Sequence, residues 1–305
     1  MSKIFQALQK ERGDIQESVI QAIDGGSLSI PMFEIQAPSA ILRGPAGETS
    51  PVSAAPSSFG YAAEPVADDS NLFSAIQVQS LKISASTPLL PFDTKSIRAS
   101  EEYRMIRTKI FQHPLQPRMM VISSAGPADG KSITAVNLAG ALSLKTEGKV
   151  LLIDGDIRRS SIATLLGVSE TPGLTDLLAA KCALEDAIIH TEQLPNLYIL
   201  PGGASQSNPA ELLDSAAWVS LSARLRKQFR YIIVDSPPMQ AVADYSLIQA
   251  VCDGVIVVVR PDHTARSVCE KALKSVPAEK MIGIILNCVE DWFLTKRDNY
   301  YGYRY

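Results

Sequence analysis

The stretch Ser124-Ala125-Gly126-Pro127-Ala128-Asp129-Gly130-Lys131-Ser132 decides the fold. It follows the apolar run Met119–Ser123 and opens onto a helical segment from Ile133 to Glu147, which Gly148 ends. A strand, a small-residue turn and a helix in that order let successive backbone N–H groups curl around phosphate oxygens, and the helix N-terminus adds partial positive charge. A lysine after the last glycine supplies a point charge, and the next hydroxyl can reach a hydrated divalent cation. Residues 125–132 therefore read as a P-loop with Ala125 in place of its first glycine. Gly126, Pro127, Ala128, Asp129, Gly130, Lys131, Ser132 and Ile133 form the nucleotide cradle.

Further runs repeat the pattern downstream. Val150–Asp154, Leu197–Leu200, Tyr231–Asp235, Val255–Arg260 and Met281–Asn287 are short, continuous and rich in Val, Ile and Leu, as strands covered on both faces tend to be. Helical segments separate most of them. Strand–helix alternation predicts an α/β protein with a mostly parallel central sheet and helices on both faces, the P-loop NTPase fold. Ligands in such sheets sit at the carboxyl ends of the strands. There the sequence places Asp154-Gly155-Asp156 and Asp235-Ser236-Pro237-Pro238. A lone Asp-x-Asp is more often a surface pair. Following a P-loop, two carboxylates at one strand end and a third at another fit a metal shell or a base.

Around this core the composition changes. Residues 1–24 carry Ile4, Phe5, Leu8, Ile15, Val19 and Ile23 at helical spacing, so an amphipathic helix is expected. Residues 25–92 are rich in Pro, Ser and Ala and are expected to be a flexible linker. Residues 93–292 form the globular unit, and residues 293–305 a tyrosine-rich tail. The tail holds Tyr300, Tyr301, Tyr303 and Tyr305, an exposed-aromatic density that packing does not explain. Ahead of the core, Glu101, Arg104 and Arg107 fall three apart on one side of a helix whose Tyr103, Ile106 and Ile110 can face inward.

The composition also sets limits. With 29 Lys and Arg against 32 Asp and Glu, bulk positive charge for nucleic-acid binding is missing. The four cysteines form no Cys-x2-Cys pair, which argues against a disulfide framework or a zinc ribbon. No apolar run approaches the roughly 18 residues that span a bilayer, and the first residues lack a signal-peptide core. A soluble intracellular chain is expected.

Taken together, these residues resemble the bacterial tyrosine kinases of polysaccharide export, the BY-kinases. Those kinases carry a P-loop of the type SxGPGEGKS, an acidic motif LLIDADLRRP, a motif ending DTPP or DSPP, a Glu-x2-Arg-x2-Arg helix before the P-loop and a tyrosine-rich tail. All five occur here in the family's order along the chain. The stretch from Gly202 to Leu213 is also similar to a loop and helix of the family. Four positions depart from the pattern. Ala128 stands for the middle glycine and Asp129 for the glutamate, Gly155 for alanine and Ser160 for proline.

The resemblance implies ATP and Mg²⁺ as cofactors. Lys131 would hold the transferred phosphate, and Ser132, Asp156 and Asp235 the metal. Asp154 would accept or orient the tyrosine hydroxyl proton, and Asn287 would contact adenine. It further implies a homo-oligomeric ring in which Glu101, Arg104 and Arg107 reach the neighbouring subunit, with Tyr300, Tyr301, Tyr303 and Tyr305 phosphorylated between subunits. The implied partners are a separate membrane-embedded activator and a phosphotyrosine phosphatase, with recruitment from the cytoplasm to the inner membrane. A partition- or septum-type ATPase and a non-catalytic nucleotide-binding scaffold are the alternatives. The first would carry a second lysine where this chain has Gly126.

Overall fold

A computed structural model describes residues 33–35, 72–83, 89, 97–240, 243–261 and 263–288. The expected amphipathic helix of residues 1–24 and the tail tyrosines lie outside these residues.

The strands are β1 (Phe33–Ile35), β2 (Gln77–Gln79), β3 (Met119–Ser124), β4 (Val150–Asp154), β5 (Ile189–Thr191), β6 (Leu197–Leu200), β7 (Tyr231–Asp235), β8 (Gly254–Val259) and β9 (Met281–Leu286). They form one sheet in the order β1-β9-β8-β3-β7-β4-β6-β5-β2. The centre is parallel throughout, and only the β1–β9 and β5–β6 pairs are antiparallel. Five longer helices accompany it: α1 (Ile97–Phe111), α2 (Lys131–Ser143), α3 (Ala216–Gln228), α4 (Asp244–Val251) and α5 (Arg266–Lys274).

Alternation along each strand divides the core. Met119, Val121, Leu151, Ile153, Ile232, Val234, Val255 and Val257 face one layer, which Trp218, Leu225, Tyr245, Ile248 and Leu273 close from α3, α4 and α5. Met120, Ile122, Leu152, Ile233, Ile256 and Val258 face the other, closed by Ile106 and Ile110 of α1 and Leu138 and Leu142 of α2. Every residue of β3, β4, β7 and β8 is buried, which explains why those segments read as unbroken apolar runs. Full burial of one such side chain stabilises the fold by about 1.5–3 kcal/mol.

The six expected strands are all present, with ends shifted by at most a residue or so. Two expectations are corrected. The helix after the P-loop stops at Ser143 rather than reaching Glu147, because Leu144, Lys145 and Thr146 close turns back onto Gly140 and Leu142. The second correction concerns the stretch expected to be linker, residues 25–92. It supplies β1, a four-residue helix at Leu72–Ala75 and β2 to the sheet edges. Phe73 packs edge-on against Tyr198 and Phe229 there. Elements this short carry no periodicity to read.

Candidate active site

Three strand ends converge. Asp154 and Asp235 are direct register partners across β4 and β7, and Ile122 of β3 lies beside Asp235. β3 then runs through the P-loop into α2. Two residues bend the loop through the left-handed region, Ala128 at φ 61° and Gly130 at φ 93°. Glycine adopts that conformation freely, whereas alanine does so at a cost of about 1–2 kcal/mol. The substitution at Ala128 therefore carries the strain its position implies.

Lys131 extends from the start of α2 across the acidic strand ends. Its Nζ lies 3.0 Å from Asp156 Oδ2 and 3.5 Å from Asp235 Oδ2. It also donates to Ser132 Oγ at 3.1 Å, and Ser132 Oγ donates in turn to Asp235 Oδ2 at 2.5 Å. Burial works against the Lys131 charge, but the carboxylates of Asp235 and Asp156 outweigh it and raise the ammonium's pKa. Asp235 is completely buried. That burial pushes its carboxyl up to about 7, with Lys131 offsetting only part of the effect.

Asp154 has a second task that its sequence context did not reveal. Its Oδ2 accepts from Ser160 Oγ at 2.7 Å, Ser161 N at 2.9 Å and Ile162 N at 3.0 Å, so it caps the short helix Ile162–Leu166. Burial still raises its pKa above the ordinary range against those bonds. Asp154 Oδ1 and Asp235 Oδ1 are both buried and have no hydrogen-bond partner among the described residues. Two orphaned carboxylate oxygens beside a cationic lysine form a site built to receive charge.

The donor set also suits a hard divalent cation. It offers the Ser132 hydroxyl and the Asp156 and Asp235 carboxylates, oxygen ligands throughout. Among the described residues no group of three or more His, Cys, Asp or Glu side chains could hold a metal unaided. Phosphate oxygens and water would have to complete the shell, which is how Mg²⁺ is ordinarily bound beside a nucleotide.

The remaining expected site residues are distributed unevenly. Asn287 follows β9, and its Nδ2 donates to Asp129 O at 2.8 Å, so it braces the P-loop directly. Ile133 packs against the α1–α2 side of the core. On α1, Tyr103, Ile106 and Ile110 are buried as expected. Arg104 pairs with Glu101 at the surface. Arg107 instead turns inward and donates to Ala141 O of α2 at 3.0 Å, and the Tyr103 hydroxyl faces Thr134 and Asn137 of the same helix. The Glu-Arg-Arg helix is thus tied to the helix that begins at Lys131.

Several participants were not anticipated. Arg158 makes a bidentate pair with the buried Asp244 at 2.7 and 3.1 Å, which ties the Asp154–Asp156 turn to the start of α4. Thr264 and His263, beyond β8, contact Asp129 and Pro127 of the P-loop. These partners lie 86 to 136 positions apart, so no local pattern announces them.

Comparison with known proteins agrees with this geometry. A family model described as an AAA domain matches residues 118–280. The tyrosine-protein kinase CpsD of Streptococcus agalactiae is 35% identical over 209 residues, which is 67% of this chain and 90% of the relative. The tyrosine-protein kinase YwqD of Bacillus subtilis is 35% identical over 192 residues, 62% of this chain and 80% of the relative. Among solved structures, the chimerical protein CapA2B2 superposes with a TM-score of 0.62 at 28% identity, covering 72% of this chain and 98% of that one.

Proposed function

The chain belongs to the bacterial tyrosine-protein kinase (BY-kinase) family, and from that membership we propose that it is an ATP- and Mg²⁺-dependent autokinase that phosphorylates its own C-terminal tyrosines. The observation that carries this reading is the pair of orphaned oxygens, Asp154 Oδ1 and Asp235 Oδ1, flanking Lys131 at the mouth of the P-loop.

Each residue has a physical role in that reaction. The N–H groups of residues 126–133 cradle the phosphates. Lys131 leaves Asp156 and follows the transferred phosphoryl group, where its charge counts most as negative charge shifts. Ser132, Asp156 and Asp235 hold the metal, which, when bound, neutralises phosphate charge. Asp154 takes the acceptor hydroxyl's proton on Oδ1, while its Oδ2 stays locked by Ser160, Ser161 and Ile162.

The acceptors are Tyr300, Tyr301, Tyr303 and Tyr305 of a neighbouring subunit in a ring that Glu101 and Arg104 help to assemble. Arg107 supports that ring from behind by fixing α1 to α2. The biological setting is polysaccharide synthesis and export. The N-terminal segment, residues 1–24, docks the kinase on a separate membrane activator, and a phosphatase resets the tail. No helix among the described residues is long and apolar enough to cross a membrane. Mass spectrometry after incubation with ATP and Mg²⁺ tests the proposal. Phosphate on residues 300–305 is the expected result, and phosphate found only elsewhere contradicts it.

A further inference from the structure

One set of contacts around the P-loop takes no part in the chemistry above. Asp129 is completely buried, and its carboxylate is held by neutral donors. Gly126 N donates to Oδ2 at 2.8 Å, and the Thr264 hydroxyl donates to Oδ1. Thr264 is itself buried, in a turn after β8 that closes when the N–H groups of His263 and Thr264 both bond to Arg260 O. The same turn places His263 Nε2 at 3.1 Å from Pro127 O. From the other side, Asn287 holds Asp129 O. There is little slack between these parts. A Cβ on Gly126 would come within 3.3 Å of Thr264 Oγ1, and one on Gly130 within 2.0 Å of Asn287 Nδ2.

This grip answers a difficulty of the sequence. With Ala128 in the left-handed region, the loop is biased to relax out of the curl that phosphates need. Relaxation would pull Asp129 away from Gly126 and Thr264 and leave a buried carboxylate without partners, which is far more costly than the strain at one alanine.

We infer that Thr264 is a positioning residue for phosphoryl transfer: through Asp129 it fixes the backbone of residues 126–130 in the phosphate-receiving conformation before nucleotide arrives. The inference rests on the reading of residues 125–132 as a nucleotide-binding P-loop. It does not involve the metal ligands or the acceptor tyrosines.

Calorimetric titration of the full chain with Mg·ADP, joined to steady-state tyrosine phosphorylation, tests it. Thr264→Val keeps the shape and removes the hydroxyl. It should weaken Mg·ADP binding and raise KM for ATP by about tenfold or more, since a hydrogen bond to a charged, buried group is lost. The kcat at saturating ATP should change by less than about threefold, because the groups that touch the reacting atoms stay in place. Thr264→Ser restores the donor and should restore affinity. Asp129→Asn should show the same binding defect, and adding Thr264→Val to it should make little further difference, as expected for two ends of one contact.

A Thr264→Val protein that binds Mg·ADP within about twofold of wild type overturns the inference, whatever its melting temperature, because so small a change is under half a kcal/mol. If Thr264→Val does not fold, Asp129→Asn decides by the same titration, and unchanged affinity there overturns it equally. Failure of the wild type to bind Mg·ADP at all would instead remove the P-loop reading beneath it.

Discussion

β3 meets charge at both of its ends, and the two ends treat it differently. At its start, Asp253 Oδ2 accepts from the backbone N–H groups of Arg118 and Met119, each at 2.9 Å, and pairs with Arg226 at 2.8 Å. Arg118 donates from its terminal nitrogen to the carbonyls of Arg226 and Phe229, and Arg226 to that of Val251, while Arg118 Nε is buried without a partner among the described residues. At its finish, Asp154 and Asp235 are buried deeper, each keeps an oxygen without a partner, and a single lysine serves the cluster. The carboxylate at one edge of the sheet is thus held by an arginine and two backbone donors, while those at the other each keep a buried oxygen unpaired. Buried polar groups are normally paired, so two unpaired carboxylate oxygens on adjacent strand ends beside a lysine mark where the protein sets folding stability aside for a ligand.

That contrast can be broken most decisively at Lys131. Lys131→Met should slow tyrosine phosphorylation on the order of 10²–10³-fold, the usual effect of losing one preorganised electrostatic contact. Its circular dichroism should match the wild type. Full activity would make the ligand end ordinary surface.

The pH dependence of stability should have opposite signs at the two ends. Asp235, pushed up to about 7 in the folded chain, binds a proton more tightly there than in the unfolded chain. Its contribution therefore favours the fold at low pH and is lost as pH rises from about 4 to about 7. With metal chelated and nucleotide removed, Asp235→Asn should be more stable than wild type at pH 8, by about 1–3 kcal/mol, and equal to it near pH 4. Urea denaturation at the two pH values checks this, and a destabilised variant at pH 8 contradicts it.

At the far end the sign reverses. Burial disfavours the Asp253 charge, but Arg226 and the N–H groups of Met119 and Arg118 outweigh it and hold the carboxyl below its ordinary range. Its stabilisation is present above about pH 4 and is lost as pH falls through the lowered folded value. Asp253→Asn should cost about 1–2 kcal/mol at neutral pH, discounted for its partial exposure, with phosphorylation per folded molecule unchanged. A large catalytic defect in that variant would blur the distinction between the ends. The smallest effect belongs to Arg104. Its exposed pairing with Glu101 should contribute less than about 0.5 kcal/mol, so Arg104→Ala should leave the melting temperature almost unmoved while lowering the assembled fraction in light scattering.

The sequence shows one side of this comparison far better than the other. The ligand end is legible because a P-loop, two strand-terminal acidic motifs and unbroken Val/Ile/Leu runs are local patterns, and topology does the rest. The Asp253 knot, the Thr264–Asp129 contact and the Arg158–Asp244 pair join residues from separate βα units, and nothing in their immediate neighbourhood distinguishes them from solvated charges. Arg107 shows the same limit. Its spacing puts it with Glu101 and Arg104, yet its guanidinium turns inward and donates to Ala141 O. The edge strands went unread because three residues cannot display a period.

Denaturant unfolding with and without Mg·ADP, on wild type and on Asp235→Asn, tests the central claim most directly. A ligand that fills the orphaned end stabilises only the folded chain, by about 2.7 kcal/mol at a hundredfold excess over its dissociation constant. The wild type should gain stability on that scale with Mg·ADP and much less with ADP in chelator, and Asp235→Asn should lose most of the metal-dependent part. A wild type indifferent to Mg·ADP, or a variant that gains as much as wild type, would contradict the account.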